Sequence, residues 1–106
     1  MVKFVNNSYL YNTLDIVRYE LMDRNYQFFV DEYDSKIEIS YKHNDDKEAP
    51  HSKFVIEKYM FVGNATEIYS RLLHETIKSI VACGLCNEPS KEEIKDIHNK
   101  LMQLSV

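Results

Sequence analysis

The chain has 106 residues, 44% of them apolar, with 13 basic and 17 acidic side chains and a formal net charge of −4. This length and composition suit one folded domain, so we expect residues 1–106 to form a single domain rather than a disordered chain. The acidic balance, with no basic cluster, argues against nucleic-acid binding, and no apolar run is long enough to span a membrane.

The N-terminal part of the chain predicts a short strand followed by a helix. Val2–Val5 is an apolar run that fits an edge strand. Asn12 is a good helix cap with Asp15 in the turn that follows, so the helix is predicted over Thr13–Arg24. Its apolar stripe consists of Leu14, Val17 and Leu21.

Three β-rich segments come next, and the first two form a predicted hairpin. Tyr26–Tyr33 is aromatic, and Lys36–Lys42 alternates apolar with polar side chains after an Asp-Ser turn. The polar segment His43–Ser52 is predicted to be a loop. Lys53–Val62 is the third predicted strand, and because both of its faces are partly apolar it suits a central position or a covered face.

Two further helices are predicted, and the longer one carries the largest apolar face. Asn64 and Glu67 have the spacing of a reciprocal helix cap, and Gly84 can end this helix. Its face consists of Ile68, Tyr69, Leu72, Leu73, Ile77 and Ile80. Ser90 and Glu93 predict the cap of a last helix. The apolar stripe of that helix consists of Ile94, Ile97, Leu101 and Leu104.

These elements predict an α+β fold. We expect a small antiparallel sheet of three to four strands with two or three helices packed on one face, because a helix with a broad apolar face needs a flat apolar surface to cover it. The sequence shows no internal repeat and no low-complexity tract that would suggest another architecture.

The two cysteines form the motif Cys83-Gly84-Leu85-Cys86, which has the spacing of a redox pair or of half a zinc site. The motif follows the end of a predicted helix, where the helix dipole disfavours a thiolate. No second cysteine pair completes a zinc site, although His74 or His98 could supply a ligand. We therefore expect ordinary thiols, no metal and no cofactor. Two cysteines and no apolar signal-peptide core also favour a cytoplasmic location.

The sequence argues against an enzyme. No serine has the context of a nucleophile elbow, and two glycines cannot build a glycine-rich phosphate loop. His74, on the outer side of the long helix, has Glu75 beside it but no nucleophile partner. His43 and His51 flank an acidic loop, where solvated side chains are expected. We predict no catalytic residues.

Aromatic residues are the clearest functional signal. The eight tyrosines cannot all be buried in one small core, so some are expected to reach solvent or a partner. A small sheet also has edges that can accept a peptide as an added strand. Tyr26, Phe28 and Tyr33, on the first hairpin strand, are the predicted peptide-binding residues. The sequence leaves open which edge is free, and ordinary packing of the tyrosines is the alternative.

Two segments resemble the His-Xaa-Ser system protein D family. In the first segment, the features follow the family's order. A tyrosine comes first, then a helix that contains a Tyr and ends in Asp-Arg, and then an aromatic strand. The matching residues are Tyr11, Tyr19, Asp23, Arg24 and Tyr26. In Arg71–Ala82, Leu72 and Leu73 match the family's Leu-Leu-Asn-Asp-Tyr-x-Leu-Arg-Glu segment. His74 and Glu75 replace Asn-Asp there, whereas Thr76 and Lys78 depart from the pattern.

Members of that family are small proteins encoded with radical S-adenosylmethionine enzymes that modify ribosomally made peptides. The resemblance implies a non-catalytic accessory protein that binds the precursor peptide or bridges it to the modifying enzyme. Whether the protein forms a homodimer is left open. The alternative is a small acidic inhibitor or immunity-type protein that acts by surface contact and mimics nucleic-acid charge. Its candidate carboxylates are Asp31, Glu32, Asp34 and Glu38 in the hairpin and Asp45, Asp46 and Glu48 in the loop.

Overall fold

The computed structural model describes residues 8–22, 25–48, 52–60 and 62–104. The elements in chain order are α1 (Ser8–Leu21), β1 (Tyr26–Glu32), β2 (Lys36–His43), β3 (Ser52–Glu57), a 3₁₀ turn (Lys58–Met60), α2 (Ala65–Ala82) and α3 (Lys91–Leu104). These described residues form a three-stranded antiparallel sheet and three helices, so the predicted α+β class is confirmed. The predicted strand Val2–Val5 lies outside the described residues.

The sheet has the strand order β1-β2-β3, and both neighbouring pairs are antiparallel. The predicted hairpin of β1 and β2 is confirmed, and the Tyr33 backbone N–H closes its turn by donating to the Lys36 carbonyl at 2.9 Å. The central position suggested for the third strand is wrong, because β2 is central and β3 is at an edge. The strand also ends at Glu57, and the residues directly after it, Lys58–Met60, form the 3₁₀ turn.

One face of the sheet faces the helices. The register places Val30, Ile39 and Phe54 in one row across the three strands, and Ile37 lies beside Ile56 in the next row. These side chains belong to a single hydrophobic cluster that also contains the buried faces of α1, α2 and α3. The alternation of apolar and polar residues in β2 therefore positions one sheet face for burial, as its sequence predicts.

The start of α1 differs from the prediction. Asn12 does not cap the helix, because α1 begins at Ser8 and Asn12 lies inside it. The physical reason is the packing of α1 in the core. Leu10, Leu14 and Val17 are buried at helical spacing, which carries the apolar stripe one turn further toward the N-terminus. The Asn12 side-chain amide is used elsewhere and donates to the Tyr69 hydroxyl of α2 at 2.9 Å.

The predicted start and end of α2 and the predicted start of α3 are confirmed, and of the reciprocal cap predicted at Asn64 the described hydrogen bonds include one half. The Asn64 side-chain oxygen accepts from the Glu67 backbone N–H at 3.0 Å, and Gly84 has a φ of 76° just beyond α2. Ser90 and Glu93 satisfy each other's backbone N–H groups at 3.1 and 3.2 Å. The predicted apolar residues of α2 are Ile68, Tyr69, Leu72, Leu73, Ile77 and Ile80, and all are buried.

The apolar stripe of α3 is only partly buried. Ile97 and Leu101 enter the core, whereas Ile94 is half-buried and Leu104 is exposed. The ends of the predicted stripe therefore do not reach the core, because α3 contacts α1 and α2 and has no neighbouring element on its outer side within the described residues.

Candidate peptide-binding edge

Two strands, β1 and β3, lie at the edges of the sheet that the described residues form. Among the described residues, β1 pairs only with β2 and has no strand on its other side. Its sequence YQFFVDE contains no lysine, proline or glycine, the residues that commonly block pairing at a sheet edge. The opposite edge strand β3 is shorter, contains Lys53 and continues into the 3₁₀ turn. Within the described residues, nothing in the composition of β1 therefore blocks the addition of a strand.

A cleft of about 130 Å³ lies between α1 and β1. Helix α1 contributes Tyr11, Leu14, Asp15 and Arg18, and β1 contributes Phe28 and Val30. The Arg18 guanidinium forms an ion pair with Asp15 at 2.8 Å and also approaches the Tyr26 carbonyl at 3.4 Å. The cleft thus combines apolar side chains with one charged pair directly beside the open strand.

The three predicted peptide-binding residues do not form one surface. Tyr26 and Phe28 share the helix-facing side of β1, and both are half-buried. Phe28 lines the cleft beside α1, whereas the Tyr26 ring packs edge-on against His43 with ring centres 5.1 Å apart. Tyr33 lies beyond the end of β1, where its ring has the Lys36 ammonium 5.4 Å from its centre. The structure therefore joins only Phe28 to the cleft.

The contribution of α1 to this site was missed from the sequence. Tyr11, Asp15 and Arg18 have the i, i+4, i+7 spacing of one helical stripe, which would have identified them if α1 had been predicted to begin at Ser8. Val30 shares the face of Phe28, because residues two apart in a strand point the same way.

Two of the four candidate carboxylates of the hairpin, Glu32 and Glu38, are paired with lysines. Glu38 lies between Lys53 at 3.3 Å and Lys36 at 3.7 Å, and only 14% of its side chain is exposed. The hydrogen bond from Lys53 lowers the pKa of Glu38, and the negative charge of Glu38 raises the pKa of the Tyr33 hydroxyl. Glu32 pairs with Lys58 at 2.7 Å. These pairs reduce the negative field that a nucleic-acid mimic needs.

The cysteines and histidines do not converge on one site. Cys83 is exposed, and Cys86 is half-buried, so that burial raises the pKa of its thiol. Burial and a hydrogen bond with Cys83 raise the pKa of Tyr41. His74 and His98 line a groove that neither cysteine lines. Within residues 8–22, 25–48, 52–60 and 62–104, no group of three His, Cys, Asp or Glu side chains is arranged to hold a metal ion.

Comparison with known proteins gives no further assignment. No family model matches the chain, and no curated protein or solved structure matches it. None of the helices in the described part of the chain has both the length and the apolar character that a membrane crossing requires. The likeness to the His-Xaa-Ser system protein D family and the cytoplasmic location both stay predictions.

Proposed function

We propose that the protein binds an extended peptide, which pairs with the open edge of β1 and places a side chain in the cleft beside α1. The observation that carries this proposal is the position of an unblocked strand edge directly next to an apolar cleft. In such strand addition, main-chain hydrogen bonds supply affinity and pockets for alternate side chains supply specificity.

The cleft indicates which side chain the peptide presents. Its volume of about 130 Å³ is well below the roughly 300–1,000 Å³ of small-molecule sites. Leu14, Phe28 and Val30 would surround an aliphatic or small aromatic side chain of the peptide. On the opposite face, Phe29 is 39% exposed and would contact the neighbouring outward residue across the new strand pair.

The overall charge favours a basic peptide. The chain carries a net charge of −4, and Asp31 is exposed on β1 itself. A peptide with lysine or arginine beside its apolar residues would be attracted by this field, and the attraction would weaken as salt screens it.

The family resemblance supports a narrower role. We propose that the peptide is the precursor of a ribosomally made, modified product, and that the protein is a non-catalytic accessory that delivers it to a radical S-adenosylmethionine enzyme. The acidic-inhibitor alternative has less support, because Glu32 and Glu38 of the hairpin are paired with lysines.

The test is a calorimetric titration of the purified protein with the leader peptide encoded beside its gene, at low and high salt. We expect a dissociation constant of about 1 µM or tighter at low salt, and weaker binding at high salt. A matched pair of variants locates the site. Phe29→Lys places a charge on the open strand, and Val55→Lys places the same charge on β3 at a similar exposure of 42%.

Phe29→Lys is expected to weaken binding by about tenfold or more, whereas Val55→Lys is expected to retain it. Equal losses in the two variants would move the site away from β1. If neither the leader peptide nor the adjacent radical enzyme binds, the proposed function is wrong and the inhibitor alternative takes its place.

A further inference from the structure

A second concave surface lies between α2 and α3, away from the edge of β1. It is a groove of about 290 Å³ whose floor contains Leu73 and Ile94. Its polar lining consists of Ser70 and His74 from α2 and Lys91, Lys95 and His98 from α3. Residues of the α1–β1 cleft do not line it, so the two surfaces belong to different elements.

The groove is basic in an otherwise acidic protein. No carboxylate lines it, whereas three other clefts formed by the described residues each include an aspartate, which is Asp15 in two of them and Asp46 in the third. On α3, Glu93 and Asp96 fall on the side of the helix away from Lys91 and Lys95 by their spacing, whereas Glu92 is three residues from Lys95 and borders that side. The lining of the groove therefore contains two lysines and no carboxylate.

The two lysines of the groove are also unpaired. Within the described residues, neither Lys91 nor Lys95 forms a salt bridge, although five other basic residues do. The five are Arg18, Lys36, Lys53, Lys58 and Lys100. Two ammonium groups with no acidic partner on the same concave surface leave six N–H donors for an anionic ligand.

The spacing of the polar residues forms two facing rows of donors. Lys91, Lys95 and His98 recur at i, i+4 and i+7 along α3, so they lie on one side of that helix. Ser70 and His74 have the i, i+4 relation on α2. His98 reaches toward α2, with its Nε2 atom 3.5 Å from the Thr66 carbonyl oxygen.

We propose that this groove binds a small molecule through its phosphate group. A phosphate carries a charge of about −1.5 to −2 at pH 7 and three strong acceptor oxygens, so it can use donors from both rows. A carboxylate has two oxygens and a single charge, and it would leave more of the donors unused. Leu73 and Ile94 provide an apolar floor for the rest of the molecule.

The size of the groove limits the ligand. At about 290 Å³ it is just below the roughly 300–1,000 Å³ of small-molecule sites, which fits a phosphomonoester with a small apolar group. This inference is independent of the peptide proposal, because either surface can be occupied without the other.

The experiment is an NMR titration of the intact, isotope-labelled protein at low salt with phenyl phosphate, inorganic phosphate and benzoate. We expect saturable amide shifts within residues 70–74 and 91–98, with phenyl phosphate binding more tightly than inorganic phosphate because its ring covers the apolar floor. Benzoate, which has the ring but not the phosphate, is expected to bind most weakly of the three.

A matched pair of double variants separates the groove from general charge. Lys91→Gln/Lys95→Gln is expected to weaken phenyl phosphate binding by about tenfold or more. Lys47→Gln/Lys53→Gln removes the same charge from exposed lysines that line none of these four clefts, and it is expected to change affinity by less than about twofold. Circular dichroism melts establish that both variants are folded.

Three results would overturn the inference. The first is the absence of saturable shifts with phenyl phosphate up to about 10 mM. The second is an equal loss of affinity in the two double variants, which would mean that phosphate responds only to net charge. The third is benzoate binding as tightly as phenyl phosphate, which would exclude phosphate recognition. Peptide binding at β1 is measured separately, so its outcome does not affect this one.

Discussion

Replacing Thr76 with valine is expected to stabilise the protein. Thr76 lies in the middle of α2 with 0% of its surface exposed, and its hydroxyl oxygen has no hydrogen-bond partner in the described structure. A buried hydroxyl without a partner costs about 1–3 kcal/mol relative to an apolar group in the same space. Valine has nearly the same shape and helix propensity as threonine. Thr76→Val should therefore raise the free energy of unfolding by about this amount.

Thr13 provides a matched control within the same core. It is also 0% exposed, but its hydroxyl donates to the Tyr9 carbonyl of α1 at 2.7 Å. Thr13→Val removes that hydrogen bond, so it should lower the free energy of unfolding by about 0.5–1.5 kcal/mol. The same chemical change is therefore expected to have opposite signs at Thr13 and Thr76.

The assay is urea denaturation followed by circular dichroism. The urea midpoints of both variants and of the unsubstituted protein are compared with the same value for the dependence of the unfolding free energy on urea. In a thermal melt, each kcal/mol corresponds to a shift of about 4–8 °C for a domain of this approximate size. If Thr76→Val unfolds at or below the midpoint of the unsubstituted protein, its hydroxyl has a stabilising partner and the reasoning is wrong. If Thr13→Val also raises the midpoint of unfolding, the hydrogen bond of Thr13 does not distinguish the two sites.

Four further predictions concern stability and the thiols. Leu73→Ala, at a position with 1% exposure, should cost about 2–5 kcal/mol in a denaturant melt, and a change near zero would remove Leu73 from the core. Asn64→Ala removes the cap of α2 and should cost about 1 kcal/mol in the same assay, so an unchanged midpoint would contradict the capping role. The double substitution Cys83→Ser/Cys86→Ser should leave folding and peptide binding intact. Stoichiometric zinc in protein purified without added metal, lost in that variant, would overturn this expectation. Because the folded pKa of Glu38 is lowered, its contribution to stability is present above the usual carboxyl pKa and is lost as the pH falls through the folded value. Glu38→Gln should therefore flatten the acid dependence of the urea midpoint, and an unchanged pH profile would contradict the assigned pairing.

Local interactions explain the features that could be predicted before the structure. The caps at Asn64 and Ser90 depend on hydrogen bonds to residues three positions away, so their sequence spacing is sufficient to identify them. The alternation in β2 likewise predicts which residues share a face, because successive strand residues point to opposite sides. The α+β class follows from these local patterns.

The candidate site depended on contacts between distant segments. The sequence indicated an accessible aromatic strand, and Phe28 does line the cleft, but Tyr33 lies apart from it because the strand ends before that residue. The wall of the cleft formed by α1 could not be inferred, since the capping pattern at Asn12 suggested a later helix start. Burial of Leu10 and the hydrogen bond from Asn12 to Tyr69 override that local preference.

The sequence alone determined the helices α2 and α3, the hairpin of β1 and β2, and the buried face of α2, because each rests on a repeat or a cap within a few positions. Tertiary structure alone decided that β3 is an edge strand, that α1 forms a cleft with β1, and that Lys91 and His74 share one groove. These features join residues far apart in the chain. Their arrangement follows from how the apolar faces of all the elements are buried together, which no local pattern specifies.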